Sequence, residues 1–242
     1  MKRVLLNQIP DVGQTCQPDR EEAHHLLKVR RVGAGERVEV IDARGGLALA
    51  EVAIHNRTVT LTIVEKPDVN RESPLHLELG LGMPVSSQTF DHALPSLVQL
   101  GVTVIHLAPV TYGGRMKKDW AKYYARLDHI CIQALKQSGR LIPPELIYHE
   151  SWAELCAAMA KSGHCNLIFH PGGSPYEEPW CDLDALGLAV GPEGGFTDEE
   201  VEIALENGFI QRDLGPRILK METVLVGACF WAQNTRGDGG RF

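Results

Sequence analysis

The hydrophobic pattern changes period at Pro74, and this limits the folds open to the chain. Before it, apolar residues alternate with polar ones in ERVEVID (36–42), LALAEVAI (47–54) and TVTLTIVEK (58–66). Period-two alternation marks half-buried strands. The first two runs flank Ala43-Arg44-Gly45-Gly46, a turn signal. A short helix over roughly 20–30, opened by Pro18 and Asp19 and followed by Gly33 and Gly35, completes a small barrel. KPDVNRESP (66–74) is polar, holds two prolines, and reads as a linker.

After Pro74, strand-like and helix-like runs alternate. The strand candidates are 75–82, 102–109, 165–172, 186–192 and 210–215; the helix candidates are 87–99, 117–138, 151–162, 197–207 and 222–234. This order predicts an α/β fold, a mostly parallel sheet with helices on both faces. The expected domains are 1–72, a β-barrel, and 73–242, the α/β part. The tail RGDGGRF is expected to fray.

Composition removes several function classes. No apolar run approaches the ~18 residues of a membrane span, and the apolar start is too short for a signal peptide. The six cysteines show no metal-ligand spacing, so reduced thiols in a cytoplasmic protein, with no metal, are expected. A net charge of -7 argues against a polyanionic partner, but the charge is uneven. Residues 113–140 carry seven basic side chains (Arg115, Lys117, Lys118, Lys122, Arg126, Lys136, Arg140) against Asp119 and Asp128, whereas 141–242 carry six basic and 16 acidic ones. Such a basic stretch fits a polyanion site, and equally a solvated helix face.

The segment LGLAVGPEGGFTDEEVEIALENG (186–208) is the most informative for chemistry. A buried-looking strand runs into Gly191, Pro192, Glu193, Gly194, Gly195 and Phe196. Thr197 and Glu200 then form a capping box, and Gly208 stops the helix. Loops at the carboxyl ends of strands hold ligands in open α/β sheets, and glycines let them approach the backbone. Neither phosphate-cradle motif is present, and the helix start is crowded with carboxylates. A cationic or neutral ligand, S-adenosylmethionine among them, therefore fits better than a phosphate. A plain connecting turn is the competing reading. In IQRDLGPRILKMETVLVGACFWAQ (210–233), a tight loop precedes an apolar helix that must be buried. There Arg217 and Glu222 fit a structural ion pair and a pair of site groups equally well. His170-Pro171-Gly172-Gly173 ends another strand candidate.

GPEGGFTDEE followed by LGPRILKMET resembles the C-terminal signature of the uridine-N3 methyltransferases of small-subunit (16S) ribosomal RNA, the RsmE type of the SPOUT superfamily. Further similar stretches are Arg3, HLLKVRRVGAGERVEVID (25–42), RESPLHLELGLG (71–82), LVQLGVTVIHLAP (97–109) and KQSGRLIPPEL (136–146), so the resemblance spans nearly the whole chain. It implies a PUA-like barrel that helps bind RNA, then a SPOUT domain whose C-terminal end is a trefoil knot. It also implies a homodimer acting on ribosomal RNA or the small ribosomal subunit, with S-adenosylmethionine as cofactor. The cofactor residues it implies are His170, Pro171, Gly172, Gly191, Pro192, Glu193, Gly194, Gly195, Leu214, Gly215, Pro216, Ile218 and Leu219. Arg217, Glu222 and Thr223 match the stretch beside the transferred methyl. Arg3, Lys28, Arg30, Arg31, Lys136 and Arg140 are implied RNA contacts. The chain departs from the family pattern at SSQTFDHALPSLVQLGV (86–102), with Pro95 inside the helix, and at Lys136, where glutamate is usual.

Overall fold

The structure is a computed structural model describing residues 2–56, 58–114, 120–174 and 184–241. Arg115, Lys117, Lys118 and Asp119, named above, and one of the six cysteines, Cys181, lie outside the described residues. The chain forms two compact units: residues 1–72 with 132–143, and 73–131 with 144–242.

In the first unit, β1 (Arg3–Leu5), β3 (Arg37–Ile41), β4 (Leu47–His55), β5 (Thr58–Glu65) and β2 (Thr15–Cys16) pair in that order. In β5, Val59, Leu61 and Ile63 are buried between less buried neighbours, as period two requires. They join Val4, Leu26, Val38, Val40 and Val52 in one core. The helical segment is α1 (Arg20–His24), capped by the Asp19 side chain, and it continues as a π-helical turn over His25–Val29.

In the second unit, six strands form a sheet in the order β11 (Ile210–Arg212), β9 (Cys165–Ser174), β10 (Ala185–Val190), β6 (His76–Gly82), β7 (Val104–Ala108) and β8 (Glu145–Tyr148). Every pairing is parallel. The central strands are almost continuously apolar and buried, as a sheet covered on both faces demands. The helices α4 (Trp152–Lys161) and α5 (Asp198–Glu206) cover one face through Leu155, Met159, Val201 and Ala204. On β10 lies α6 (Met221–Arg236), with α2 (Ser87–Gln99) beside it. The helix α3 (Trp120–Ser138) gives residues up to 131 to this unit and the rest to the first.

The strand β8 was not expected. Four residues directly behind Pro143-Pro144 are too few to display a period. The tail, expected to fray, forms a short 3-10 turn over Asp238–Arg241. No described helix is long and apolar enough to cross a membrane.

Candidate active site

The chain order places β10 between β9 and β6, so the direction of winding reverses there. In open α/β sheets such reversals leave a crevice beyond the carboxyl ends of the strands. A cleft of about 270 Å³ occupies this place. The end of β9 supplies Phe169, His170 and Pro171; the loop after β10 supplies Gly191 through Phe196; the end of β11 and the segment after it supply Arg212, Asp213, Leu214, Arg217, Ile218 and Leu219.

The loop after β10 is held from three sides. Thr197 and Glu200 form the expected capping box. The buried Glu200 carboxylate also accepts from the backbone N–H of Thr111 at 2.7 Å. The Trp152 ring stands 4.5 Å from that of Phe196 and donates its Nε1–H to the Glu200 carbonyl at 2.9 Å. The Glu193 carboxylate accepts from the Val85 N–H at 3.0 Å, just before α2. Burial raises the Glu193 carboxyl, but hydrogen bonds from backbone N–H groups, Val85 and Ser86 among them, and from the Thr89 side chain outweigh it and hold it below the ordinary range.

The other two segments are tied by Asp213. Its carboxylate accepts from Gly172 N–H at 3.2 Å and from Gly215 N–H at 3.0 Å. The Gln211 amide donates to the Pro171 carbonyl at 3.1 Å. Gly195 and Gly215 have φ of +74° and +103°, a region that side chains rarely adopt.

Most of the expected cofactor residues therefore line one cleft. Gly172, Gly215 and Pro216 do not line it, although they adjoin residues that do, and of the expected catalytic group only Arg217 lines it. The first turn of α6 turns Met221 and Val224 to the cleft, while Glu222 is half-buried and Thr223 exposed. Arg212 and Asp213 also line the cleft, although in sequence they fall inside the strand candidate 210–215. The cleft suits S-adenosylmethionine: apolar Phe169, Val190, Leu219 and Met221 offer a wall for an adenine, and Glu193 and Asp213 offer negative charge to a cationic ligand.

The first unit redirects three of the six expected RNA contacts. The Arg3 guanidinium donates to the Lys136 and Gln137 carbonyls at 2.8 and 3.1 Å, capping the end of α3, and to Glu39 at 2.7 Å. Arg71 shares that buried carboxylate. Lys136, its side chain 4% exposed, pairs with Glu22. Arg140 pairs with Glu72 at 2.7 Å. A cation so enclosed and compensated cannot neutralise a phosphate, and the role of Arg3, Lys136 and Arg140 is structural. Lys28, Arg30 and Arg31 are exposed.

The comparisons with known proteins fit this geometry. The RNA methyltransferase domain family matches residues 71–233, and the RNA methyltransferase PUA domain matches 18–64. A crystal structure of ribosomal RNA small subunit methyltransferase E from Neisseria gonorrhoeae, bound to S-adenosylmethionine, is 30% identical with a TM-score of 0.88, covering 98% of this chain and 99% of that one. This chain belongs to the ribosomal RNA small subunit methyltransferase E family. Other relatives agree. The family's protein from Buchnera aphidicola (strain Sg) is 26% identical over 240 residues, covering 98% of this chain and 97% of its own. A Legionella pneumophila protein, described as a methyltransferase and solved with the same cofactor, is 26% identical with a TM-score of 0.86 and covers 98% of each chain. Within this RNA methyltransferase family the fold is α/β with a PUA domain.

Proposed function

We propose that this chain methylates N3 of a uridine in small-subunit ribosomal RNA, in the cytoplasm and as a homodimer, using S-adenosylmethionine held in the cleft. The observation that carries the reading is that three strand-end segments converge there with Arg217 among them. A trefoil-knotted C-terminal segment belongs to the same reading, on the likeness to the family. The domains proposed are 1–72, with its RNA-facing barrel, and 73–242.

The bound cofactor supplies a methyl group made electrophilic by its sulfonium. The chain's own work is to bind, orient and move a proton. Backbone groups of 170–172, 191–196 and 214–219 hold the cofactor. Uracil N3 carries a proton and is a weak nucleophile until it is lost, and the charge then spreads to O2 and O4. Arg217, exposed and without an ion-pair partner among the described residues, stabilises that charge. The cleft carboxylates Glu193 and Asp213 are engaged by backbone N–H groups. Glu222, near the loop in the first turn of α6, is left to take the proton, with Thr223 beside it. Holding the two reactants in line supplies much of the rate.

Lys28, Arg30 and Arg31 contact phosphates. Ile218 is 98% exposed and Phe230 60%, with Val226 one turn before Phe230 on α6. Apolar groups so exposed support a second copy as the cover of this face.

The test is methyl transfer to small-subunit RNA followed by nucleoside mapping. Arg217→Ala should abolish 3-methyluridine while leaving cofactor binding by calorimetry nearly intact. A ribose-methylated product, or none with the unaltered protein, would overturn the assignment.

A further inference from the structure

A parallel sheet covered by helices should be apolar along its buried faces. The face beneath α4 breaks this rule at the end where the strands begin. In register, Glu78 of β6 stands beside Gly187 of β10, which stands beside Asn166 of β9. Aligned residues of neighbouring strands share a face, and so do residues two apart. His76 lies two before Glu78 and His164 two before Asn166, while His106 of β7 is aligned with Gly80. Three histidines, a glutamate and an asparagine thus meet on one buried face.

Their contacts are close. His76 Nε2 is 3.0 Å and His164 Nδ1 is 3.7 Å from Glu78 Oε1. The three ligand-type atoms of His76, Glu78 and His164 lie within 4.8 Å of one another. Ligands at tetrahedral zinc distances of about 2.0–2.2 Å stand roughly 3.3 Å apart, so small side-chain shifts would accommodate an ion. The other carboxylate oxygen, Oε2, is 3.3 Å from His106 Nε2, and His106 Nδ1 lies 2.9 Å from His149 Nε2. That arrangement resembles the outer shell that orients metal ligands.

The cluster is under-satisfied for a buried site. His164 Nδ1 and Asn166 Oδ1 are buried with no hydrogen-bond partner, and Glu78 Oε2 and His106 Nε2, also buried, have only each other at 3.3 Å, in poor hydrogen-bond geometry. The Glu78 and His106 side chains are both 7% exposed. Unmet buried polar atoms of this kind call for a water or an ion. The His76 side chain is 40% exposed, which opens the cluster to solvent on one side.

We propose that His76, Glu78 and His164 bind a divalent transition-metal ion of the zinc class, with His106 positioning Glu78. A carboxylate and two imidazoles suit such an ion, with a fourth position open to water. The ion fastens β6 to β9 across β10. It lies at the opposite end of the strands from the cleft, since Gly187 and Gly191 are four residues apart along the chain, or roughly 13 Å.

The test titrates tag-free, chelator-treated full-length protein with Zn²⁺, and with Co²⁺ as a spectroscopic stand-in. Expected are one tight equivalent of Zn²⁺, a raised melting temperature on its addition, and visible Co²⁺ bands of low coordination number. His76→Ala, at a partly exposed position, and His76→Ala/His164→Ala should lose the Co²⁺ bands and the Zn²⁺-dependent melting shift while keeping the native circular dichroism. His106→Gln should weaken binding by roughly 10–100-fold. No stoichiometric binding to the unaltered protein, or binding unchanged in folded His76→Ala, would overturn the proposal. Neither result depends on the cofactor or on methyl transfer.

Discussion

Glu193 accepts a hydrogen bond from the Val85 backbone N–H at 3.0 Å, so the glycine loop after β10 and the start of α2 are fixed to each other. A residue that the family resemblance assigns to the cofactor also orders the wall around it. An exposed carboxylate gains little from a single such bond, but several act together here. Glu193→Ala is expected to weaken S-adenosylmethionine binding by about 1 kcal/mol, roughly fivefold. Glu193→Gln, which keeps one acceptor, should lose less. Calorimetry on the two variants checks the order.

Glu39 gives a pH-dependent prediction. The hydrogen bond from Arg71 first, and the charges of Arg3 and Arg71, lower its carboxyl despite burial. A depressed folded-state pKa contributes stability that is complete above the unfolded value and is lost as pH falls through the folded one. Near neutral pH, Glu39→Gln should therefore cost about 3 kcal/mol, since it leaves two guanidiniums facing a neutral amide. The gap between the two proteins should close as the solution is acidified below the ordinary carboxylate range. Denaturant melts at several pH values would show it, and a gap independent of pH would refute it.

Much of this molecule can be read in its residues. The capping box at Thr197 and Glu200, the parallel order after Pro74 and the glycine loop are local features, and local chemistry writes them into a few adjacent positions. What could not be read depends on distant residues meeting. Arg3, Lys136 and Arg140 look like free cations in sequence, and only folding shows Glu39, Glu22 and Glu72 opposite them. His76, Glu78, His106 and His164 have no motif spacing, because three strands bring them together. Arg212 and Asp213 looked like the end of a strand, and their place in the cleft follows from β11 pairing with β9.

The two sets of basic residues should separate in experiment. Replacing Lys28, Arg30 and Arg31 with alanine should lower RNA affinity and reduce the slope of log K against log salt by roughly two to three. Lys136→Met should instead lower melting temperature with that slope unchanged, because it strands the buried Glu22. Filter binding over a salt series, with thermal melts alongside, distinguishes the two patterns. Arg31 also holds φ of +50°. Arg31→Gly should thus be nearly neutral for stability while still weakening RNA binding.

Adjacent glycines in the cofactor loop should fail for different reasons. A Cβ on Gly194 would lie 2.6 Å from Tyr112 Cβ, closer than real carbon atoms come, and that atom is fixed to the backbone. A Cβ on Gly195 would meet nothing within 4 Å, but its φ of +74° costs a side chain about 1–2 kcal/mol. Both Gly194→Ala and Gly195→Ala are therefore expected to weaken cofactor binding. Tyr112→Gly should restore it in the first and leave the second unchanged, since only the first is a collision. Restoration of both would mean that Tyr112 itself obstructs the cleft, and restoration of neither would mean that the loop tolerates no Cβ at Gly194 for a reason other than Tyr112.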